Sequence, residues 1–417
     1  MATPKLRFKE FDGGWTKSTI QFFMDNNFIL DQMDGNHGEL YPKSEEFSAT
    51  GVPYISATDF SFGDVNFATC KRLPIERAKL FKKGIAKNGD VLFAHNATVG
   101  PVAILKTDLD FVILSTTATY YRCEATYLNN HYLKNYFESD FFVQQYFGIM
   151  SQSTRNQVPI TTQRKLNIAV PNIQEQTKIA SFLSAVDEKI SQLTQKHQLL
   201  SQYKQGMMQK LFSQQVRFKA DDGSEFGEWE NKKLSEIAIK IKDGTHFSPK
   251  TLEIGEYKYL TSKNVKNGYL DFSNLEYVNK EEHLKIYSSC DVRHGDVLLT
   301  KDGTIGQCCV NTLHEEFSLL SSVAFLRLKS EYNNFFLYHL LVSDLGQKEI
   351  KGAIAGQALK RITLTKINDF KFDFPCLAEQ TKIANFLSAI DQKIGVVAQQ
   401  IEHAKQWKKG LLQQMFV

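Results

Sequence analysis

Residues Glu175–Ile190 read EQTKIASFLSAVDEKI, and 204 positions later Glu379–Ile394 read EQTKIANFLSAIDQKI. Thirteen of the sixteen positions are identical, the exceptions being Ser181/Asn385, Val186/Ile390 and Glu188/Gln392. The copy continues in register through YKQGMMQKLF at Tyr203–Phe212 and WKKGLLQQMF at Trp407–Phe416. Self-similarity of this quality constrains the architecture before anything else does. The chain is two units, each closing with the same long segment.

Spacing makes those segments helices. In the first copy Ile179, Leu183, Val186, Ile190, Leu193, His197, Leu200, Lys204, Met207 and Leu211 step by four and three. The second copy places Ile383, Leu387, Ile390, Ile394, Val397, Ile401, Ala404, Lys408, Leu411 and Met415 in the same phase. An apolar seam sustained over more than four heptads is a coiled-coil signature. Pro171 and Pro375 end what precedes, and Asn172 with Glu175 resembles a capping box; Cys376 weakens the second cap. At about 1.5 Å per residue, roughly 38 residues give a rod of about 57 Å. Each stripe must be buried, and its own duplicate is the natural partner, which predicts an antiparallel pair. The alternative is that each helix packs on its own domain as ordinary core. Gly206 and Gly410, at matching places, predict a close backbone approach near the helix ends.

Two globular parts precede the helices, each opening alike: Arg7-Phe8-Lys9 and Trp15 in one, Arg217-Phe218-Lys219 and Trp229 in the other. Turn-rich loops follow at Asp34–His37 (DGNH) and Asp243–His246 (DGTH), then Pro42-Lys43 and Pro249-Lys250. Strand-like YISATDF (Tyr54–Phe60) matches YLTSKNV (Tyr259–Val265), and Gly89-Asp90-Val91-Leu92 matches Gly295-Asp296-Val297-Leu298. Apolar runs broken by Asn-Gly and Asp-Gly predict β-hairpins in a mixed sheet. Aromatic-rich helical segments follow at His131–Phe147 and Asn334–Ile350. The framework points recur while the residues between them differ, as two readers of two different targets would.

Composition excludes little and catalytic signatures are scarce. The net charge of +4 and pI near 8.5 are compatible with nucleic acid without specifying it. Six cysteines show no C-x-x-C pair, which predicts reduced thiols and no zinc site. The start lacks an apolar h-region and no apolar run approaches a membrane span, so a cytoplasmic protein is expected. None of the nine prolines adjoins another or precedes an aspartate, which excludes a [DNS]PP[YF] methyltransferase tetrapeptide and a simple PD…ExK nuclease. There is no phosphate loop, and His314-Glu315-Glu316 lacks the second histidine of a zincin because position 318 is Ser318. A non-enzyme is expected. Nucleic-acid reading instead needs cations, amides and hydroxyls on loops. Candidates in the first part are His37, Lys43, Thr58, His95, Asn96, Thr98, Arg155, Asn156 and Gln157. In the second they are His246, Lys250, Lys263, Asn264, Lys301, Thr304, Gln357, Lys360 and Arg361.

With these features assembled, the chain resembles the specificity subunit of type I restriction–modification systems over essentially its full length. The resemblance rests on the Arg-Phe-Lys…Trp openings, the Gly-Asp-Val-Leu strands and the two helix starts Pro171/Glu175/Gln176/Ile179 and Pro375/Glu379/Gln380/Ile383. Lys9 and Lys219 stand where the family often has proline, and TVGP at Thr98–Pro101 departs from the commoner TIGQ of Thr304–Gln307. The resemblance implies an α+β chain with two mixed α/β target-recognition domains, pseudo-twofold related, held apart by two long helices in an antiparallel coiled coil. The expected divisions are residues 1–170 and 214–374 for the domains, and 171–213 and 375–417 for the helices. It further implies double-stranded DNA as ligand, read as a bipartite, asymmetric site. Two modification subunits carrying S-adenosylmethionine and restriction subunits using ATP and Mg would be partners, with no cofactor in this chain. A coiled-coil scaffold binding proteins, or a stand-alone DNA-binding protein, are the alternatives.

Overall fold

The computed structural model describes residues 3–35, 41–61, 63–151, 156–355 and 360–417. They form two compact units, Met1–Gln195 with Val397–Val417, and Lys196–Val396. The boundary between units falls within both long helices. The reason is packing: each helix delivers apolar side chains directly into a unit's core.

In the first unit a four-stranded antiparallel sheet runs in the order Ile29–Asp34, Ala118–Cys123, Val91–Asn96, Thr98–Ile104. A second sheet orders Lys71–Leu73, Val52–Ile55, Val112–Leu114 and Ile85–Ala86, the middle pair parallel. Strand alternation divides the core. Leu92, Ala103 and Tyr120 join Ile55 and Leu114 in one cluster, while Val91, Phe93, Val102 and Tyr121 face the helices. A short ladder pairs Thr16–Thr19 with Asn167–Val170.

The second unit repeats this plan. Its antiparallel sheet orders Ala238–Asp243, Val323–Leu328, Val297–Thr300 and Cys308–Val310. Its mixed sheet orders Glu276–Val278, Tyr257–Leu260 and Ser318–Leu319. Leu298, Cys309 and Phe325 turn one way; Val297, Leu299 and Leu326 turn to the helices. Each aromatic segment is two helices, Asn130–Glu138 and Asp140–Met150 in one unit, Asn334–Val342 and Asp344–Ile354 in the other. Ser139 and Ser343, both extended, break them.

The long helices are Ile173–Phe212 and Leu377–Met415. Ile179, Leu183, Val186 and Ile190 enter the first core together with Leu411, Met415 and Phe416. Ile383, Leu387 and Ile390 enter the second with Met208, Leu211 and Phe212, and Ile394 packs against its edge. Leu193, Val397 and Ile401 are buried, and Leu200 is half-buried.

The helix starts hold a finding the sequence disguised. Asn172 Oδ1 accepts from the Glu175 N–H at 2.8 Å, so half of the capping box exists. The other half does not, because the Glu175 carboxylate turns into the core. There it accepts two bonds from Arg7, both 2.7 Å, and one from the Trp15 indole at 3.3 Å. Glu379 repeats the arrangement with Arg217 at 3.1 and 2.7 Å and Trp229 at 3.1 Å. The neighbouring Gln176 accepts from the Asn129 N–H and donates to the Pro171 carbonyl, both at 2.9 Å, and Gln380 does the same to Asn333 and Pro375. The repeated Arg-Phe-Lys…Trp and Glu-Gln motifs are therefore two ends of one clasp.

Gly206 and Gly410 are not explained by close approach: a Cβ on either would meet nothing within 4 Å. Where glycine is required is the hairpin tip. Gly63 (φ +81°) and Gly268 (φ +90°) put a Cβ 2.9 Å from Lys134 Cε and 2.8 Å from the Tyr338 hydroxyl oxygen. Both are left-handed turns pressed onto a helix, which no other residue tolerates without strain.

The Asp of each Gly-Asp-Val-Leu strand is a bracket for an arginine on the next strand. Arg122 grips Asp90 at 3.0 and 2.7 Å, and Arg327 grips Asp296 at 3.0 and 2.8 Å. Arg327 also bonds Asp291, which Lys240 contacts as well. Burial alone would raise the Asp291 carboxyl, but the hydrogen bonds and charges of Lys240 and Arg327 outweigh it and hold the pKa down to about 2. Because the folded value lies below the ordinary carboxylate value, this contribution is complete above about pH 4 and is lost as pH falls through about 2. Acid-unfolding profiles of the second unit should show that limb in the wild type and lose it in Asp291→Asn; coincident profiles would contradict the assignment.

Among the described residues no helix is long and apolar enough to cross a membrane, and no group of three or more His, Cys, Asp or Glu is placed to hold a metal ion.

Candidate nucleic-acid interface

In the second unit, five loops meet at one end of the antiparallel sheet because hydrogen bonds stitch them there. The Lys301 N–H donates to the Ser322 carbonyl at 2.9 Å, and the Lys301 carbonyl accepts from Ile362 at 2.8 Å. Asp302 bridges to Arg361, and Thr245 bridges to Leu320. The Thr304 hydroxyl donates to the Ser262 carbonyl at 2.9 Å, bringing the Lys263 turn alongside. His246, Lys263, Thr304, Lys360 and Arg361 are exposed on these loops, and Lys250 is exposed on the one that follows His246.

Two candidates are buried and have structural duties. Lys301 is 8% exposed and its ammonium lies 3.0 Å from Asp243, which also meets His246 at 3.3 Å. Asn264 is 3% exposed: its Oδ1 accepts from the Thr261 N–H at 2.9 Å and its Nδ2 donates to the Asp271 carbonyl at 3.0 Å. A carboxamide with both ends occupied holds a turn.

The first unit gathers its candidates the same way. The Val158 N–H donates to the His95 carbonyl at 2.8 Å, Asn96 bridges to Gln157, and the Ala97 N–H donates to Asn156 at 3.1 Å. Thr117 joins a second loop to this end, accepting from the His95 N–H through its carbonyl and from the Ala57 N–H through its hydroxyl. Thr58 and Thr98 are exposed beside these ties, as is Asn156, while Asn96 and Gln157 are half-buried. Lys43 is exposed where a short helical turn begins. Ala97 is left-handed at φ 62°, a strained setting for a residue with a Cβ, at the tip between Asn96 and Thr98. His95 itself is 4% exposed. His37, Arg155 and Gln357 lie outside the described residues.

The sequence did not point to what lies beneath His95. Its Nδ1 is 2.9 Å from the Thr119 hydroxyl, which is 3.1 Å from Gln163 Nε2. Gln163 Nε2 also donates to the Val158 carbonyl at 2.7 Å, and Gln163 Oε1 accepts from Tyr121 at 2.5 Å and Gln32 at 3.2 Å. Arg164 Nε closes the chain on Gln32 Oε1 at 2.9 Å. Such a network was legible only as polar residues at core-facing strand positions, Gln32 and Thr119 among them.

Among the described residues, those exposed beside these ties are Thr58, Thr98 and Asn156 in the first unit and His246, Lys263, Thr304, Lys360 and Arg361 in the second. Carboxamides can pair with the N6/N7 edge of adenine and guanidinium with O6/N7 of guanine, while lysines suit phosphates. Among the described residues neither edge assembles a nucleophile with a base.

The family model for the type I restriction modification DNA specificity domain matches residues 31–202 and 227–406. The type I restriction enzyme MjaVIII specificity subunit of Methanocaldococcus jannaschii is 28% identical over 258 residues, 59% of this chain and 60% of that protein. The chain thus aligns with under two thirds of that relative's length. The putative type I restriction enzyme MjaX specificity subunit of the same organism is 28% identical over 339 residues, 78% of this chain and 76% of its own. Among solved structures, the S subunit of a type I restriction–modification system from M. genitalium superposes with a TM-score of 0.61 at 16% identity, over 100% of this chain and 99% of that one. A chain from a study of complex assembly and conformational transition of the type I R-M system gives 0.56 at 17%, over 96% and 97%.

Proposed function

Since this chain belongs to the type I restriction modification DNA specificity domain family, we propose that it reads a bipartite, asymmetric sequence in double-stranded DNA on behalf of catalytic partners. The observation that carries this is one framework built twice with unlike edges: the same loops converge, and among the described residues they expose Thr58, Thr98 and Asn156 in one unit and His246, Lys263, Thr304, Lys360 and Arg361 in the other. Residues of about 1–170 and 214–374 serve as the two target-recognition domains, and 171–213 with 375–417 as the spacer between them. Two ion pairs support an antiparallel helix pair. Lys408 meets Asp187 at 2.7 Å in the first unit and Lys204 meets Asp391 at 2.6 Å in the second. Adding 204 to Lys204 and Asp187 gives Lys408 and Asp391, so the pairs are one pair with its roles exchanged.

The chain acts without chemistry of its own, in the cytoplasm. Two modification subunits bring S-adenosylmethionine and methylate adenine; restriction subunits bring ATP and Mg. Helix faces support docking by the former. Trp407 and Tyr203 are more than half exposed beside Gly410 and Gly206, whose surroundings are open within the chain. Co-expression with the cognate modification subunits, followed by sequencing of methylated adenines in host DNA, should return one motif of two unlike half-sites at a fixed gap. Co-purification with no adenine modified would mean a docking scaffold and end the DNA-reading proposal.

A further inference from the structure

The orientation of the Gln163 carboxamide beneath His95 is fixed by a single backbone carbonyl. Val158 C=O can only accept, so the amide group at 2.7 Å must be the Gln163 NH2 and not its oxygen. The second Nε2 proton then goes to Thr119 Oγ1 at 3.1 Å, and the Gln163 oxygen takes both Tyr121 and Gln32. All four hydrogen-bonding positions of that carboxamide are filled, and it is fully buried. Thr119, also fully buried, accepts from Gln163, and its hydroxyl lies 2.9 Å from His95 Nδ1.

The second unit shows that a core needs none of this. Strand register equates Gln32 with Ile241 and Tyr121 with Leu326, through their partners Val91 and Val297. Thr119 opposite Phe93 corresponds to Ala324 opposite Leu299. The bonds Val158 N–H to His95 and Ile362 N–H to Lys301 equate Gln163 with Ile367. An apolar cluster fills that space in one unit, and a fully satisfied polar chain fills it in the other. Buried polar chains cost desolvation and return a single geometry in which no member can rotate alone.

We propose that Gln163 is the positioning residue of the first unit's base-reading edge. Its carboxamide ties the His95–Asn96 strand end, through Thr119, and the Asn156–Val158 segment into one arrangement. This rests on the DNA-reading role proposed above. Gln163 touches no DNA; it holds the groups that do, including the strained Ala97 tip between Asn96 and Thr98.

The test uses the full chain with its modification subunits, in a host without other adenine methylation, and scores methylation at every single-base variant of the motif. Gln163→Leu, an aliphatic of the same size as Ile367 at the equivalent place, keeps the space filled. Its discrimination at one or more positions of one half-site should fall about tenfold, with the other half-site and the gap unchanged. Thr119→Val removes only the hydroxyl and should relax the same half-site. A merely supporting network would lower the melting temperature of both variants and leave base preference as in the wild type, which overturns the proposal. If Gln163→Leu fails to fold, Thr119→Val decides alone on the same criterion. A wild-type complex that methylates no bipartite motif sinks the DNA-reading role itself, and this assignment with it.

Discussion

Replacing Arg7 with leucine should destabilise the first unit by about 4–5 kcal/mol, and replacing Glu175 with leucine by about 3 kcal/mol. The asymmetry follows from what each substitution leaves behind. Without Arg7 the Glu175 carboxylate stays fully buried, with one 3.3 Å bond from Trp15 as its remaining side-chain partner. Without Glu175 the guanidinium, 13% exposed, keeps its 2.6 Å bond to the Gly13 carbonyl and some water. A buried ion pair broken on one side costs more than the same pair removed whole, so the double variant should lose less than the sum of the singles. Urea unfolding followed through Trp15 gives the measurement, and Arg217/Glu379 with Trp229 gives an independent replicate in the second unit. Single variants within about 1 kcal/mol of wild type would show that the clasp is ornamental packing.

Under the proposed function, lengthening the central helix should change what the chain and its modification subunits methylate. Four residues inserted after Gln195 add roughly 6 Å of rise and close to one full turn, so the apolar seam keeps its face. At about 3.4 Å per base pair that widens the unread gap by one or two base pairs, and methylation at the original gap should drop by about a hundredfold or more. Both half-site sequences should survive unchanged. Methylated-adenine sequencing of the variant reads all three quantities at once. An unchanged gap with retained activity would sink the idea that these helices set the distance.

Most of the framework was legible because it is written twice. The helices, their starts and the β-hairpins follow from periodicity and turn residues that recur at fixed offsets. What misled was chemistry shared by two explanations. Glu175 three residues after Asn172 satisfies a capping box on paper, and only the fold reveals that Arg7, 168 positions away, claims its carboxylate. Gly206 and Gly410 looked like contact points and face open space within the chain. At the candidate edges, loop position was readable but burial was not. Asn264 and Lys301 carry reading-type side chains and spend them on Thr261, Asp271 and Asp243. The Gln163 chain escaped notice because its members lie far apart in sequence and the other copy replaces them with aliphatics, so repetition, the main guide elsewhere, was silent.

The split composition of the first unit sets an order of events at the ribosome. Its core includes Leu411, Met415 and Phe416, with Phe416 against Trp15, Tyr132 and Tyr136, yet Val397 is translated 201 positions after Lys196 (397 − 196). At about 5–20 residues per second, that is roughly 10–40 s in which the nascent first unit presents an aromatic face with nothing to cover it. The second unit, continuous from Lys196 to Val396, has all its residues out before the first does. Synthesis begins with one unit and folding finishes with it. A chaperone holding that face during elongation, or a slow codon run before Val397, would therefore govern the yield of the first unit while leaving the second untouched.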